Sequence, residues 1–330
     1  MRRGRGGLAF CALALVLAGS LPARAATDTL PLGGTLLLAD DPEDVPGPGI
    51  LAEGWVRGPV RVLVDEHNAG TLPLGLRVEL YNPHPTPVEW QPGGEGGAES
   101  SPSGVLLASA RALTRFLGPH ARLPVVAVAP HGWLGLTPRA LRPRLEPGEV
   151  GLGVVDGIAF ATVEIFVVAR GPGPRLAPLP PVPHRALMRG VFPEEGIVDR
   201  IQVSARHPSR VDLGRPGTPL EDPSGYSALD RRPAADPGGY GLETDLVLAF
   251  RGRPPPGIRL ELVPRGGPFS GAIEVTDGSR AAVRALVSPV ARMRLRLTVP
   301  PGGIVRLRVF VAAGSFLPVE VRVVPTAHGR

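Results

Sequence analysis

The sequence predicts a mainly all-β protein made of two β-sandwich domains of immunoglobulin or fibronectin type III style, with one short helix inserted in the first domain. Glycine and proline, at 44 and 41 of 330 residues, interrupt the chain often. The apolar runs between them are short, rich in valine and leucine, and often alternate with polar residues at a period of two. Hydrophobic residues make up 43% of the chain, which is too many for a disordered protein.

Residues 1–25 have the three parts of a secretory signal peptide. Three arginines lie within the first five positions, residues 8–18 form an apolar run, and Ala23-Arg24-Ala25 is a small-residue cleavage site. The apolar run is shorter than the roughly 20 residues that cross a bilayer, so no transmembrane segment is expected in the mature chain. We therefore expect a secreted or extracytoplasmic protein, associated with the cell envelope, whose mature chain begins at Ala26.

The mature chain is expected to contain no cysteine, because the one cysteine, Cys11, lies in the signal peptide. Disulfides, a thiolate nucleophile and a cysteine-based metal site are therefore excluded. Loss of four arginines with the signal peptide lowers the formal net charge from +6 to +2. All basic residues are arginine, which is typical of a GC-rich genome. Nucleic-acid binding is not expected from so small an excess of charge.

Residues 26–170 are predicted to form the N-terminal β-sandwich. Strands are expected at residues 35–39, 60–64, 74–81, 88–90, 124–129, 150–155 and 159–169, and an acidic loop at residues 40–44. The alternation is clear in residues 74–81, where leucine and valine point to one face and Arg77 and Glu79 to the other. Such alternation predicts a sheet with one buried face and one face in water.

The helix in this domain is expected over residues 102–117. Ser101 can cap it, Pro102 suits its first turn, and Gly118-Pro119 ends it. The residues that would form its single apolar face are Leu106, Ala110, Leu113 and Leu117.

Residues 171–186 are predicted to be a proline-rich linker, stiff and extended, that serves as a spacer or as a strap across the surface. Residues 187–330 are predicted to form the C-terminal β-sandwich. A long loop is expected at residues 214–239, and its length indicates a mobile or functional segment. Alternating strands are expected at residues 242–250, 258–262, 292–299, 305–311 and 319–323.

No catalytic motif survives inspection of the sequence, so no enzyme activity, cofactor or metal site is predicted. HExxH, a Walker loop and a GxSxG elbow are all absent. The polar residues Asp65, His67 and Asn68 stand together at a strand end and are the most suggestive group. We interpret them first as the polar end of a hairpin. The acidic groups of residues 40–44 and 214–239 are interpreted as solvated turns, with calcium binding left open.

A row of outward-facing arginines is the main candidate for ligand binding in the C-terminal domain. Its members are Arg294, Arg296, Arg306, Arg308 and Arg322. If their strands pair as adjacent hairpin arms, the arginines share one sheet face and can bind phosphate or carboxylate groups bidentately. The alternative is that these charges only keep the sheet from aggregating.

Stacking of sugars on aromatic rings has a poor signal in this composition. The chain offers Trp55, Trp90, Trp133 and three tyrosines, and a strand-rich core is expected to take some of these rings. Carbohydrate binding through aromatic side chains is therefore not favoured by the sequence.

Several short segments resemble secreted proteins of unknown function from Gram-positive bacteria. They are Asp41-Pro42-Glu43, Gly49-Ile50-Leu51, Arg61-Val62-Leu63, His67-Asn68, Val78-Glu79-Leu80, Asn82-Pro83 and Gly238-Gly239-Tyr240-Gly241. Some of these relatives carry a copper amine oxidase N-terminal-like module, which is a stalk domain. The quinone-forming motif of the oxidase is absent here. The resemblance implies an extracytoplasmic, non-catalytic protein and says nothing of a ligand.

These observations favour a secreted or envelope-associated, non-catalytic protein with a structural or adhesive role. The first alternative is a module that binds an anionic cell-wall polymer or glycan through the arginine-rich face. The second is a secreted hydrolase whose acidic groups come from residues 214–239. The expected partners are a cell-wall polymer or another envelope protein, and the sequence leaves the ligand and the oligomeric state open.

Overall fold

The computed structural model describes residues 23–24, 26–121, 123–171, 179–183, 188–214, 223–276, 281–288 and 292–326. Strands make up 60% of the structure and helices 6%. The prediction of a mainly all-β protein is confirmed. Within the described ranges, no helix has the length and apolar character needed to cross a bilayer.

The first part of the chain contains most of the long strands and the helix. Its elements are β1 (Ala23–Arg24), β2 (Ala26–Pro31), β3 (Thr35–Val45), β4 (Gly49–Asn68), β5 (Gly75–Tyr81), β6 (Val88–Ser100), a 3-10 turn (Pro102–Gly104), α1 (Val105–Leu117), β7 (Val126–Val128), β8 (Trp133–Gly135) and β9 (Val150–Arg170).

The second part consists of shorter strands. They are β10 (Arg189–Phe192), β11 (Gly196–Ser204), β12 (Ser209–Leu213), β13 (Ser224–Ser227), β14 (Arg232–Ala235), β15 (Glu243–Arg251), β16 (Gly257–Pro264), β17 (Phe269–Thr276), β18 (Ala281–Ser288), β19 (Met293–Thr298), β20 (Ile304–Val311) and β21 (Val319–Thr326).

The described strands form three sheets. The ten-stranded sheet has the order β14-β13-β10-β3-β4-β9-β5-β8, with β6 joined to β9 and β7 joined to β6. The six-stranded sheet has the order β18-β17-β20-β15-β11-β2, and the five-stranded sheet the order β1-β12-β21-β16-β19.

Two long strands, β4 and β9, run through the centre of the ten-stranded sheet. They have 20 and 21 residues and pair antiparallel along most of their length. The register shifts between Val56 and Gly58, and Gly58 has a φ of +83°, which favours glycine. One half of the pair joins β3 and β6, and the other half joins β5. Side chains from both halves meet in one apolar core.

The predicted strand at residues 60–64 is therefore only the second half of β4. Residues 49–59 contain glycine, proline and charged residues, so the first half of β4 lacks the apolar alternation that predicts a strand. Predicted strands at residues 150–155 and 159–169 are likewise one strand, β9.

The six-stranded and five-stranded sheets share a second apolar core. Leu246 and Leu307 come from the first sheet, and Leu260, Leu295 and Val321 from the second. All five lie on strands whose period-two alternation is visible in the sequence, and the residues between them point away from the core.

The helix α1 lies between the ten-stranded and six-stranded sheets and contacts both. Leu113, Phe116 and Leu117 form one apolar cluster with Ala272 and Phe310. The rings of Phe116 and Phe310 meet edge to face, with centroids 5.4 Å apart. A 3-10 turn occupies the first three residues of the predicted helix, and the Ser101 side chain makes no cap hydrogen bond.

Strand pairing does not follow the predicted domain boundaries. Strand β2, from the start of the predicted N-terminal domain, pairs with β11 in the six-stranded sheet. Strand β10, beyond the predicted linker, pairs with β3 in the ten-stranded sheet. Most of the predicted signal peptide lies outside the described residues, while its Ala23–Arg24 pairs with Ser209–Arg210.

Part of the predicted linker is visible at residues 179–183, where it runs along β4. Ile50 donates a backbone hydrogen bond to the carbonyl of Pro180, and Val182 donates one to the carbonyl of Ile50, both at 2.9 Å. In this described part, the chain lies alongside β4 and is joined to it by these two hydrogen bonds.

The expectation of a loop throughout residues 214–239 is wrong. Strands β13 and β14 form an antiparallel hairpin there that joins the ten-stranded sheet through β10. Each strand has only four residues and neither alternates apolar with polar residues, so the usual strand signal is missing. Residues 215–222 of the predicted loop lie outside the described part of the chain.

Candidate functional site

The five predicted ligand-binding arginines do not share one face. Strand β19 pairs with β16, whereas β20 pairs with β15 and β17, so the two arginine-bearing strands belong to different sheets. The turn at residues 300–303 carries the chain from one sheet to the other. Since the leucines of both strands point into the shared core, Arg294 and Arg296 face away from Arg306 and Arg308.

Arg308 is held in a network of ion pairs. Its guanidinium donates to both carboxylate oxygens of Glu243, at 2.6 and 2.9 Å, and to Glu274 at 2.8 Å. Glu243 also accepts a hydrogen bond from the buried Arg61 at 3.1 Å. Burial alone would raise the pKa of Glu243, but the hydrogen bonds and charges of Arg308 and Arg61 lower it. Arg308 therefore joins packed elements and is not free to bind a ligand.

The predicted polar group Asp65, His67 and Asn68 does not form one site. Asn68 is buried and closes a turn, donating to the carbonyls of Leu72 and Leu145 and accepting from the backbone of Gly70. The Nδ1 atom of His67 lies 2.8 Å from a carboxylate oxygen of the exposed Asp44. Asp65 is only 5% exposed.

Two acidic segments predicted as solvated turns instead contribute buried carboxyls. Asp40 is part of β3 and is the register partner of Asp65 on the parallel strand β4. Asp236, which follows β14, is fully buried and accepts a hydrogen bond from the backbone of Tyr240. Burial raises the pKa of Asp65 and of Asp236 to about 7. In the described ranges, no group of acidic residues and histidines is arranged to hold a metal ion.

The acidic groups proposed for a hydrolase have structural partners. Asp230 accepts two hydrogen bonds from Arg189, at 2.6 and 2.8 Å, and one from Ser227. Asp236 accepts the backbone hydrogen bond of Tyr240 described above. Glu221 and Asp222 lie outside the described residues.

The outer face of strands β4, β9, β5 and β8 carries a row of aromatic side chains. Trp55 stands opposite Glu164, Glu164 opposite Tyr81, and Tyr81 opposite Trp133. Directly opposed residues of an antiparallel pair point to the same face. With neighbouring strands about 4.8 Å apart, this row is about 14 Å long.

A neighbouring row adds Phe166 on β9, with Glu53 opposite it on β4. The ring centroids of Tyr81 and Trp133 are 4.8 Å apart, and those of Trp133 and Phe166 are 5.5 Å apart. We refer to Trp55, Tyr81, Trp133 and Phe166, with Glu53 and Glu164, as the aromatic surface. Trp55 is 54% exposed and Trp133 is 50% exposed, so the rings are open to solvent.

The alternation of these strands explains why the rings lie outside. Val78 and Leu80 on β5, and Ile165 and Val167 on β9, fill the core from the opposite face. The core is thus complete without the outward-facing rings. Trp90, in contrast, is 2% exposed and belongs to that core.

The carboxyl groups of the aromatic surface are partly shielded from water. Burial raises the pKa of Glu164, and the nearby charge of Glu53 raises it further. Burial also raises the pKa of Glu53, against the opposing charge of Arg189. A carboxylate between aromatic rings can accept hydrogen bonds from hydroxyl groups of a ligand that lies on the rings.

In the sequence, Trp55 and Trp133 lie 78 positions apart, and no local pattern indicates that they lie together. Their adjacency depends on the register of β4, β9, β5 and β8, which come from distant parts of the chain. One local signal was present. Tyr81 and Phe166 occupy polar-face positions of strands whose other face is entirely apolar, and such side chains indicate a binding surface only where the fold brings several of them together.

Comparison with known proteins identifies no family, since no family model and no curated protein matches the chain. The structure resembles a Bacillus thuringiensis Cry1Da tryptic core variant, with 12% identity and a TM-score of 0.24, over 58% of this chain and 30% of that one. It also resembles the CUB1-EGF-CUB2 domain of human MASP-1/3, with 9% identity and a TM-score of 0.24, over 83% and 99% of the two chains.

A third structure with partial similarity is the PBSX exported protein XepA, with 10% identity and a TM-score of 0.19, over 86% of this chain and 88% of that one. None of the three is a copper amine oxidase stalk module. These TM-scores are too low to carry an argument about fold or function.

Proposed function

We propose that this protein is a secreted, envelope-associated, non-catalytic module that binds a hydroxyl-rich glycan on the aromatic surface. The observation that carries the proposal is the row of Trp55, Tyr81 and Trp133 with Glu164 in its middle. The predicted signal peptide supports the location, and the predicted structural or adhesive role becomes adhesion through a glycan.

The exposed rings supply the main attraction in this proposal. Large aromatic side chains combine much apolar area with little loss of side-chain freedom, and contiguous exposed apolar area on a protein often marks a binding site. The apolar face of a sugar ring can lie flat on an indole or phenol ring. The rings of Tyr81 and Trp133, tilted by 35° with centroids 4.8 Å apart, pack against each other and present one continuous apolar area.

The carboxyl groups supply orientation. Glu164 lies between Trp55 and Tyr81, where hydroxyl groups of a bound sugar can donate to it. Glu79, the third acidic residue on this face, is buried and accepts hydrogen bonds from Arg170 at 2.8 and 3.2 Å, so it joins β5 to β9 and is not offered to a ligand. Ligand sites usually combine many apolar side chains with a few polar groups, and the polar groups fix the orientation of the ligand.

We propose that the facing six-stranded and five-stranded sheets form one β-sandwich and that the folded ten-stranded sheet forms the other, with strands exchanged between them. A shared apolar core between the opposed layers supports each sandwich.

Binding of soluble polysaccharides by affinity electrophoresis and isothermal titration calorimetry tests the proposal. Suitable probes are β-1,3-glucan, β-1,4-glucan and chitin oligosaccharides. Stacking on an aromatic ring contributes about 1–3 kcal/mol in other ligand classes. Combined replacement of Trp55→Ala and Trp133→Ala is therefore expected to weaken binding about tenfold or more.

The matched control is Tyr226→Ala, since Tyr226 is 51% exposed but lies on β13, which pairs with β10 and β14 and not with a strand of the aromatic surface. It should bind like the unaltered protein. Equal binding by the double tryptophan variant, or an equal loss in the tyrosine variant, would refute the assignment of this surface. Absence of binding to every glycan tested would refute glycan recognition itself.

A further inference from the structure

The outer face of the five-stranded sheet carries an excess of arginines that the aromatic surface does not involve. We call it the arginine face, and it consists of Arg259, Arg292, Arg294, Arg296 and Arg322 around Glu261. Leucine and isoleucine alternate with these residues and fill the core beneath. The arginine face lies on a different sheet from the aromatic surface.

Glu261 is the centre of this arrangement. Its register partners are Arg294 on β19 and Arg322 on β21, and Arg259 stands opposite Arg296. The carboxylate lies 3.0 Å from Nε of Arg259, 3.1 Å from a terminal nitrogen of Arg292 and 3.5 Å from Nε of Arg294. One buried carboxylate thus positions three guanidinium groups.

The positive charge of the arginine face is not balanced. Five arginines lie around Glu261, and Glu320 lies between Arg322 and Arg265. Strand β12 adds Arg210 opposite Arg322 and Asp212 opposite Glu320, so seven arginines and three carboxylates leave an excess of four positive charges. Within the described part of the chain, Arg296 makes no ion pair.

The geometry leaves the binding edges of the guanidinium groups open. Arg259 and Arg294 contact Glu261 through Nε, so that the two terminal nitrogens of each remain available. Their side chains are 42% and 63% exposed. A guanidinium offers parallel N–H donors that match the two oxygens of a carboxylate or sulfate.

We propose that the arginine face binds a linear anionic polysaccharide, one that carries a carboxylate or sulfate group on each repeat. The arginines occupy three neighbouring strands, β21, β16 and β19, so the positive charge extends over about 10 Å. An extended surface of this kind suits repeated anionic groups better than a single small anion.

Nucleic acid fits this face less well. The described residues of the outer face include arginine, glutamate, valine, threonine and glycine but no aromatic ring on which a base could stack. A flat sheet face also offers no element that enters a groove of a duplex.

Binding of the purified protein to polygalacturonate and to dextran sulfate, across 20–200 mM sodium chloride, tests the proposal (about the range in which such electrostatic binding is lost). The first polymer carries carboxylates and the second sulfates, so the comparison tells which oxyanion is preferred. The variant Arg294→Ser with Arg296→Ser should weaken binding about tenfold or more at low salt and reduce its salt dependence.

The matched control is Arg251→Ser with Arg306→Ser, which removes the same charge from exposed positions of the six-stranded sheet. At 100 mM sodium chloride and above, where the Debye length is about 10 Å or less, it should stay within about twofold of the unaltered protein, because charges on the other sheet are then largely screened. An equal loss of affinity in the two double variants would overturn the proposal. Failure of the protein to bind both polymers at the lowest salt would also overturn it.

A third variant moves affinity in the opposite direction. Glu261→Gln keeps the shape of the side chain that lies among Arg259, Arg292 and Arg294 but removes its negative charge, so it should tighten binding severalfold, whereas unchanged or weaker binding would contradict the assignment. Single-stranded DNA is tested in parallel, and tighter binding to it than to either polysaccharide would overturn the choice of polymer. Loss of the tryptophans of the aromatic surface should leave binding to these polyanions unchanged, which separates this proposal from the proposed function.

Discussion

Replacing Asp236 with asparagine is predicted to remove a large dependence of stability on pH. Asp236 is fully buried, and burial raises its pKa from 3.8 to about 7, although backbone hydrogen bonds from Tyr240, Gly238 and Gly239 oppose the shift. In the unfolded chain the same carboxyl has its ordinary pKa. The folded protein therefore binds this proton more tightly than the unfolded chain does.

The sign and the size of the effect follow from this difference. Below about pH 4 both states hold the proton, and the group does not affect stability. Between about pH 4 and pH 7 only the folded state holds it, so the free energy of unfolding falls by about 1.4 kcal/mol for each pH unit. Across the shift from 3.8 to about 7, this amounts to about 4 kcal/mol.

Urea unfolding of both proteins, followed by far-ultraviolet circular dichroism between pH 4 and pH 8.5, measures the difference. Asp236→Asn keeps the side-chain oxygen that accepts the backbone hydrogen bond of Tyr240 and cannot ionise. Its free energy of unfolding should rise relative to the unaltered protein as pH rises, by about 4 kcal/mol from pH 4 to pH 8. Other titrating groups are common to both proteins and cancel in the comparison. Parallel pH curves for the two proteins would refute the reasoning.

Two further outcomes are expected. Phe116→Ala should lower the free energy of unfolding, measured in urea, by about 3–5 kcal/mol because it leaves a cavity between α1 and Phe310. The control, Leu107→Ala at a 44% exposed position of the same helix, should change the free energy of unfolding by less than about 0.5 kcal/mol. Equal losses in the two variants would contradict this account of α1. Iodide should quench the fluorescence of the exposed Trp55 and Trp133 but not that of the buried Trp90. A variant with phenylalanine in place of both exposed tryptophans should therefore show almost no quenching. Strong quenching in that variant would show that Trp90 is not in the core.

Local patterns predicted the elements that depend on local interactions. The helix was visible because Leu113 and Leu117 recur at helical spacing between a proline and a Gly-Pro stop, and α1 ends at Leu117. The strands β16, β19, β20 and β21 were visible because each alternates arginine or glutamate with leucine or valine. In these segments, the pattern needed for burial and the propensity of the residues agree.

Partners of strands could not be predicted in the same way. The Pro-Pro-Gly-Gly turn at residues 300–303 is compatible with a hairpin and equally with a crossing between sheets, and the leucines alternate in either arrangement. Which one forms is decided by packing of β19 against β16 and of β20 against β15 and β17. The predicted arginine row failed for this reason, although Arg294, Arg296 and Arg322 do share a face.

Burial of polar residues was also beyond the sequence. Asp40 belongs to a run of acidic residues that resembles a solvated turn, yet the extension of β3 places it beside Asp65 inside the protein. The aromatic surface depends in the same way on the register of four strands. Composition alone underestimates such a site, because two tryptophans that are adjacent in space count for more than their number suggests.

The exchange of β2 and β10 between the sheets has a consequence for how the protein folds. The hydroxyl of Thr29 on β2 donates to Asp199 on β11, 170 positions later in the chain. Strand β3 pairs with β10, which is a similar number of residues away. Strand β3 cannot pair with β10 until the second half of the chain has been synthesised, so we expect this part of the ten-stranded sheet to form late and slowly. The same strand pairs join the two halves of the chain, which should therefore stay together after a protease cut between them.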